Sequence, residues 1–292
     1  MNPAYSLWLN TGTLAEQLKT ACLLECTARK PGNVSPQRSF SDVSYADFVM
    51  SADVVAPILA QSATLGVGRA IHAAVRATQA AVGTNTNLGM LLLLAPLAAV
   101  PCGTPCRSGI QPVLDQLDLE QTFWIYEAIR LAQPGGLGQV ARHDVAQAPE
   151  VPIVTAMAAA PHDRIAWQYT HCFEDVLNRG REWYLQFLQS DPDWETALIR
   201  VQLKFLAAQS DSLILRKCGE VIAEEVRTRA RAVLQAWPSG SAMPDKVLQF
   251  DEWLRADGHR RNPGTTADLL AAMLFAAIRD QVWTPPPTMT LS

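Results

Sequence analysis

Apolar residues recur three and four positions apart along most of this chain, and almost nowhere two apart. Thr13 to Arg29 places Leu14, Leu18, Ala21, Cys22 and Cys26 on one helical face. Ser44 to Leu65 opens with Ser44 and Asp47 in capping-box register and continues at helical spacing. Val67 to Val82 carries Val67, Ile71, Ala74, Val75, Thr78 and Val82 on one stripe. Leu88 to Val100 is apolar on every side, the pattern of a central buried helix. The same periodicity predicts helices over Asp118–Leu131, Asp163–Leu188, Trp194–Ala208, Leu213–Trp237, Asp245–Arg255 and Thr266–Val282. A sheet would need several β-branched runs alternating with period two, and none stands out. Pro101 to Pro112 and Gln133 to Pro152 read as long surface loops. The expectation is an all-α fold: one compact multi-helix domain over 1–283, followed by a disordered Pro-rich tail over 284–292.

Composition narrows the classes. Of 292 residues, 49% are apolar and 18% charged, which suits an ordered core of substantial size. The net charge of −4 is spread along the chain, which argues against a nucleic-acid or anionic-membrane surface. The first thirty residues lack signal-peptide features, and Leu88 to Val100 is too short to span a bilayer, so a cytoplasmic protein is expected. Six cysteines fit a reducing compartment. Cys22, Cys26, Cys102 and Cys106 could supply four zinc ligands, but their spacing is longer than usual and no histidine is placed nearby. Buried, inert thiols are the better reading.

Chemistry concentrates in four junctions between helices. Glu25 to Asn33 ends a helix in Arg29-Lys30-Pro31-Gly32-Asn33; its cations oppose the helix dipole or meet an anion. Gly83 to Gly89 sets polar residues, among them Asn85 and Asn87, before the most apolar helix, where amides must cap or contact a ligand. Asp211 or Ser212 can cap a helix that carries Arg216 and Lys217 one turn on. Last, Arg261-Asn262-Pro263-Gly264-Thr265-Thr266-Ala267-Asp268 reads as a helix start with Thr265 and Asp268 as a capping box. Such an N-terminus suits a phosphate.

Taken in order, these segments resemble the triphosphoribosyl-dephospho-CoA synthase family over about Ala21 to Ile278. The family shows Lys-Pro-Gly, Asn-Thr-x-x-Gly, Asp-Thr/Ser followed by a basic residue, and Asn-Pro-Gly-x-x-Ala-Asp. Here these are Lys30-Pro31-Gly32, Asn85-Thr86-Asn87-Leu88-Gly89, Asp211-Ser212 with Arg216-Lys217, and Asn262 to Asp268. The resemblance implies an enzyme that moves the 5-triphosphoribosyl group of ATP to a hydroxyl acceptor such as 3′-dephospho-CoA, releasing adenine. It further implies Mg2+ and small-molecule substrates, with no nucleic-acid or membrane partner.

On that resemblance, phosphates and ribose would meet Lys30, Gly32, Asn33, Asn85, Asn87, Arg216, Lys217, Arg261, Asn262, Gly264, Thr265 and Thr266. Glu25, Asp42 and Asp211 would be the catalytic carboxylates, and Glu25, Asp211 and Asp268 the magnesium ligands. Asp163 and Asp175 read as structural ion-pair partners, and His72, His143, His162, His171 and His259 show no ligand spacing. The chain departs from the family where His-Lys would precede the glycine, having Asn87-Leu88, and where a histidine would stand near Asp42, having Phe40-Ser41. Those changes leave room for other readings. One is a related phosphoribosyl-type transfer on methanopterin-type coenzymes. Others are a catalytically inactive nucleotide-binding protein or a purely structural helical scaffold. None of the motifs encodes the acceptor or the oligomeric state.

Overall fold

The computed structural model describes residues 5–135, 142–238 and 240–291. Among them are fifteen α-helices, one π-helical turn and a single two-stranded sheet. The all-α expectation holds. Helix α1 (Leu14–Thr27) starts on a reciprocal cap: Glu16 N–H donates to Thr13 Oγ1 (3.2 Å) and Thr13 N–H to Glu16 Oε2 (2.9 Å). Helix α2 (Tyr45–Leu59) starts where Ser44 and Asp47 stand in register, Ser44 N–H donating to Asp47 Oδ2 (2.7 Å). It stops short of the predicted Leu65; the chain re-forms as α3 (Ser62–Leu65) and turns at Gly66, whose φ of 85° ends the helical path. Helix α4 (Val67–Val82) buries the predicted stripe.

Helix α5 (Leu88–Ala99) is enclosed on all sides, as its sequence predicts. The segment 101–112, expected to be a loop, instead folds from Cys106 into α6 (Cys106–Asp115). That start is held from elsewhere in the chain: Cys106 N–H donates to Asp280 Oδ1 (3.0 Å). Helix α7 (Leu119–Ala132) is capped by Asp118 and α8 (Ile153–Ala158) follows. The long helix expected over 163–188 is broken. Helix α9 (Arg164–Thr170), a π-helical turn (Asp175–Gly180) and α10 (Arg181–Ser190) replace it, with Cys172 and Phe173 at positive φ between them. Helix α11 (Trp194–Ala208) is regular. The expected 213–237 helix divides at Gly219 (φ 80°) into α12 (Ser212–Cys218) and α13 (Glu220–Gln235). Helix α14 (Asp245–Arg255) and α15 (Gly264–Arg279) complete the set.

Two apolar clusters hold these helices. The larger surrounds α5 and α15; the smaller joins α11, α13 and α14 through residues such as Leu203, Val226 and Phe250. Helix α15 is as enclosed as α5, with Thr265 to Ala267 and Leu269 to Ile278 all buried. Its alanines at 271, 272, 276 and 277 keep it slim enough for neighbours on every side. The end of the chain is a further correction. The tail expected to be disordered contributes β2 (Thr288–Leu291), antiparallel to β1 (Tyr5–Trp8), with Trp8 opposite Thr288. Four-residue strands leave too little alternation to read from sequence. No described helix is long and apolar enough to cross a membrane.

Candidate active site

The start of α15 is organised differently from the expected capping box. The helix begins at Gly264 behind Pro263, and no side chain of its own caps it. Asp211 caps it from outside. One carboxylate oxygen accepts from Leu213 N–H (2.9 Å) and Ile214 N–H (3.1 Å), so it caps α12. The other accepts from Thr266 N–H (2.7 Å) and Thr266 Oγ1 (2.8 Å). One buried carboxylate thus joins two helix N-termini. Burial raises its pKa, and four donors already occupy its lone pairs. It does not line the cavity described below, so the expected catalytic and metal roles of Asp211 are replaced by a structural one. Thr266 is turned to the same contact.

The Lys-Pro-Gly segment is likewise absorbed into the framework. Lys30 is fully buried, its ammonium 3.0 Å from Glu25 Oε1 and donating to the Glu25 and Ala28 carbonyls. Gly32 (φ 78°) donates its N–H to Asp251 Oδ1 (2.7 Å), and a Cβ there would stand 2.7 Å from Pro263 Cδ. Asn33 donates to Asn262 Oδ1 (2.7 Å) and accepts from Gln202 Nε2 (2.8 Å). Two of the recognised motifs are therefore docked directly on one another. Arg261 donates to the Trp253 carbonyl (2.9 Å) and lies over the Trp253 ring. Lys30, Gly32 and Arg261, expected at phosphates, all sit outside the cavity, because each is held by buried protein partners.

The remaining residues converge. A cavity of about 490 Å³ opens between the end of α1, the loop before α2, the N-termini of α5, α9 and α15, and the last turn of α12. Glu25, Asn33, Asp42, Asn85, Asn87, Arg216, Lys217, Asn262, Gly264, Thr265 and Asp268 all line it. Asn85 Oδ1 caps α5 by accepting from Leu88 N–H (3.0 Å), while Asn87 is spent on Thr78 (3.1 Å) and Leu88 is buried. Asn87 and Leu88 thus pack into the framework while also lining the cavity. On one wall Arg216 is ion-paired with Asp163, whose other oxygen caps α9. Lys217 has no partner for its ammonium among the described residues. The Thr265 N–H, in the first turn of α15, finds no acceptor among them either.

Deepest in the wall are Glu25 and Asp268. Burial, then the neighbouring Glu25 and Asp211 charges, push the Asp268 carboxyl well above the usual carboxylate range. No described residue donates a hydrogen bond to it. Glu25 is also raised by burial, against the pull of Lys30. Helix α5 approaches Asp268 so closely that a Cβ on Gly89 would lie 2.0 Å from Asp268 Oδ2. Behind the pair, burial pushes the Cys22 thiol up to about 12 and Cys26 well above its ordinary value, so both are inert. Cys102 and Cys172 are exposed, contrary to the expectation of uniformly buried thiols. Among the described residues no group of three or more His, Cys, Asp and Glu side chains is placed to hold a metal.

Asp163 is the structural ion-pair partner expected of it: one oxygen caps α9 and the other pairs with Arg216, and the residue also lines the cavity. His259 shows no ligand spacing, yet it lines the cavity and its Nδ1 is 2.9 Å from Asp42 Oδ1, a partner 217 positions away. Nothing local in the sequence signals that pairing.

An all-helical fold with acidic, basic and helix-N-terminal groups around one cavity is the kind of site that handles a polyphosphate. The family model for ATP:dephospho-CoA triphosphoribosyl transferase matches residues 11–286. The chain therefore belongs to the ATP:dephospho-CoA triphosphoribosyl transferase family, a family of enzymes whose substrate is ATP. The crystal structure of a protein assigned as a triphosphoribosyl-dephospho-CoA synthase from Archaeoglobus fulgidus shares the fold. Its TM-score is 0.62 at 23% identity, covering 79% of this chain and 97% of that one. No curated protein sequence matches significantly.

Proposed function

We propose that this enzyme transfers the 5-triphosphoribosyl group of ATP to a hydroxyl of dephospho-CoA with release of adenine. The acceptor oxygen bonds to C1 of the ribose as the C1–N9 bond breaks; the electron pair leaves with adenine, and the hydroxyl proton passes to a base. Family membership supports the reaction. One observation ties it to this cavity: Asp268, a carboxylate without a donor, lies one helical turn beyond the free Thr265 N–H. An N-terminus that offers an N–H and positive dipole to phosphate, with a carboxylate just beyond it, can hold a triphosphate and its counter-ion together.

In this reading the triphosphate lies against Thr265 N–H and Gly264, with Arg216 and Lys217 opposite. Glu25 and Asp268 fit Mg2+ as two carboxylates facing one cavity, one of them lacking any donor. A bound divalent cation would offset triphosphate charge, its remaining positions filled by phosphate oxygens and water. The Asn85 amide, whose oxygen caps α5, keeps its NH2 for a ribose hydroxyl. The reading is checked by incubating the protein with ATP, Mg2+ and dephospho-CoA and following adenine by chromatography. Free adenine together with a triphosphoribosylated acceptor is expected. Adenine release only with a pterin-type acceptor would reassign the pathway, and ATP binding by calorimetry without release under any acceptor would refute catalysis.

A further inference from the structure

The proposed transfer needs a group to take the acceptor's proton; of the buried carboxylates, Glu25 is paired with Lys30, Asp211 is held by four donors, and Asp268, which has no donor, is the one assigned above to Mg2+ with Glu25. At the cavity rim stands a different arrangement. His259 and Asp42 both line the cavity, and Asp42 Oδ1 lies 2.9 Å from His259 Nδ1. Their side chains remain 39% and 57% exposed, so both can reach an incoming molecule and exchange protons with water.

The ring is fixed by more than that bond. Phe40, also in the cavity wall, meets it edge-on with centroids 5.6 Å apart and planes at 84°. Phe40 is itself covered by the Arg255 guanidinium at 5.1 Å, and Arg255 is anchored to Asp251 at 2.8 Å. The His259 carbonyl accepts from Asn262 N–H (3.2 Å), tying the loop to the start of α15. The charged groups around the imidazole are Asp42 from the loop before α2, Arg255 on α14, and Asp257 and Arg260 of its own loop, which face each other at 3.7 Å. A carboxylate that accepts from Nδ1–H holds the neutral ring in the tautomer whose Nε2 carries a free lone pair. It also stabilises the imidazolium that forms when Nε2 takes a proton.

We propose that the Asp42–His259 pair is the general base of the transfer, with His259 Nε2 taking the acceptor hydroxyl proton as the oxygen bonds to C1 and adenine departs with the N9 electron pair. Asp42 is the positioning residue. The assignment rests on the transfer reaction proposed above.

The sign of the pH dependence follows. A general base acts only while its lone pair is free, so its removal changes the acid side of the kcat/KM profile. The test measures adenine release against pH for the wild type, His259→Asn and Asp42→Asn, with ATP affinity by calorimetry. Expected are a fall in kcat of roughly 10²–10⁴-fold for His259→Asn, loss of the acid limb, and unchanged ATP affinity. His259→Ala should recover part of its rate with added imidazole. Asp42→Asn should lower kcat less and leave KM for ATP in place. Adenine release by His259→Asn at the wild-type rate with the acid limb intact overturns the pair's role alone. No adenine from the wild type with any acceptor overturns the transfer itself, and this assignment with it.

Discussion

Replacing Gly89 by alanine tests whether the transfer needs the Asp268 carboxylate in its present position as a proposed Mg2+ ligand. The added methyl would stand 2.0 Å from Asp268 Oδ2 and 2.7 Å from Asp268 Cγ. Real Cβ contacts essentially never fall below 3.0 Å, so α5 and the carboxylate must separate by at least 1.0 Å. The third neighbour, Ile165 Cδ1 at 2.7 Å, is the end of a flexible side chain and can rotate away. Asp268 Oδ2 ends a side chain that lines the cavity and has no donor, so the carboxylate gives way by swinging off its present position rather than by moving α15. Overpacking of this kind costs about 1–3 kcal/mol, which lowers the melting temperature by about 2–4 °C per kcal/mol in a domain of this scale. A reacting group displaced by about 1 Å can lose on the order of 10²-fold in rate. Gly89→Ala should therefore remain folded by circular dichroism, melt a few degrees lower, and release adenine about a hundredfold more slowly well below its melting point. Turnover within a few-fold of wild type in a folded Gly89→Ala protein would refute the proposed role of Asp268 in holding Mg2+ for the transfer.

Two further outcomes follow from the carboxylates. Asp268 has a folded pKa raised by burial and by Glu25, so the stability it contributes is complete below the unfolded aspartate value near ~3.9 and is lost as pH rises through the folded value. Asp268→Asn should consequently melt higher than wild type at pH 8, by a margin that shrinks toward pH 4, while adenine release disappears; a lower melting temperature at pH 8 would contradict the account. Asp211→Ala removes the caps of α12 and α15 and strands a buried Thr266 N–H, a cost of about 2–5 kcal/mol in urea denaturation. A loss under about 1 kcal/mol would show that the two helix starts do not depend on it.

The site was legible in part, and the division has a pattern. The motif segments identified in the sequence do meet, but five of their residues, Lys30, Gly32, Asp211, Arg261 and Thr266, serve to dock the segments rather than face the cavity. Lys30, Gly32, Asp211 and Arg261 looked like anion or metal contacts because the same chemistry that binds a phosphate also caps a helix or anchors a buried turn. A sequence shows that a cation or carboxylate is present; which partner satisfies it depends on what lies across the fold. Asp268 kept its ambiguity as a capping residue until the helix was seen to begin at Gly264 and to be capped by Asp211 instead. The pairing of His259 with Asp42 could not be read from the sequence, because the two stand 217 positions apart.

What the sequence by itself determined was the helical class, the buried helix Leu88–Ala99 and the reciprocal caps at Thr13 and Ser44. All of these depend on contacts within four residues, where periodicity and capping chemistry act directly. The breaks at Gly66 and Gly219 were also written locally, though helical spacing on both sides concealed them; the positive φ of Cys172 and Phe173 was not, because such residues take that conformation only under surrounding packing. Tertiary structure alone decided the rest: the strand pairing of the two ends of the chain, the helix at Cys106 held by Asp280, and the enclosure of α15. It also decided which polar groups face the cavity. Those outcomes depend on pairings over some fifty to nearly three hundred positions, where burial rather than local propensity sets the cost of leaving a group unpartnered.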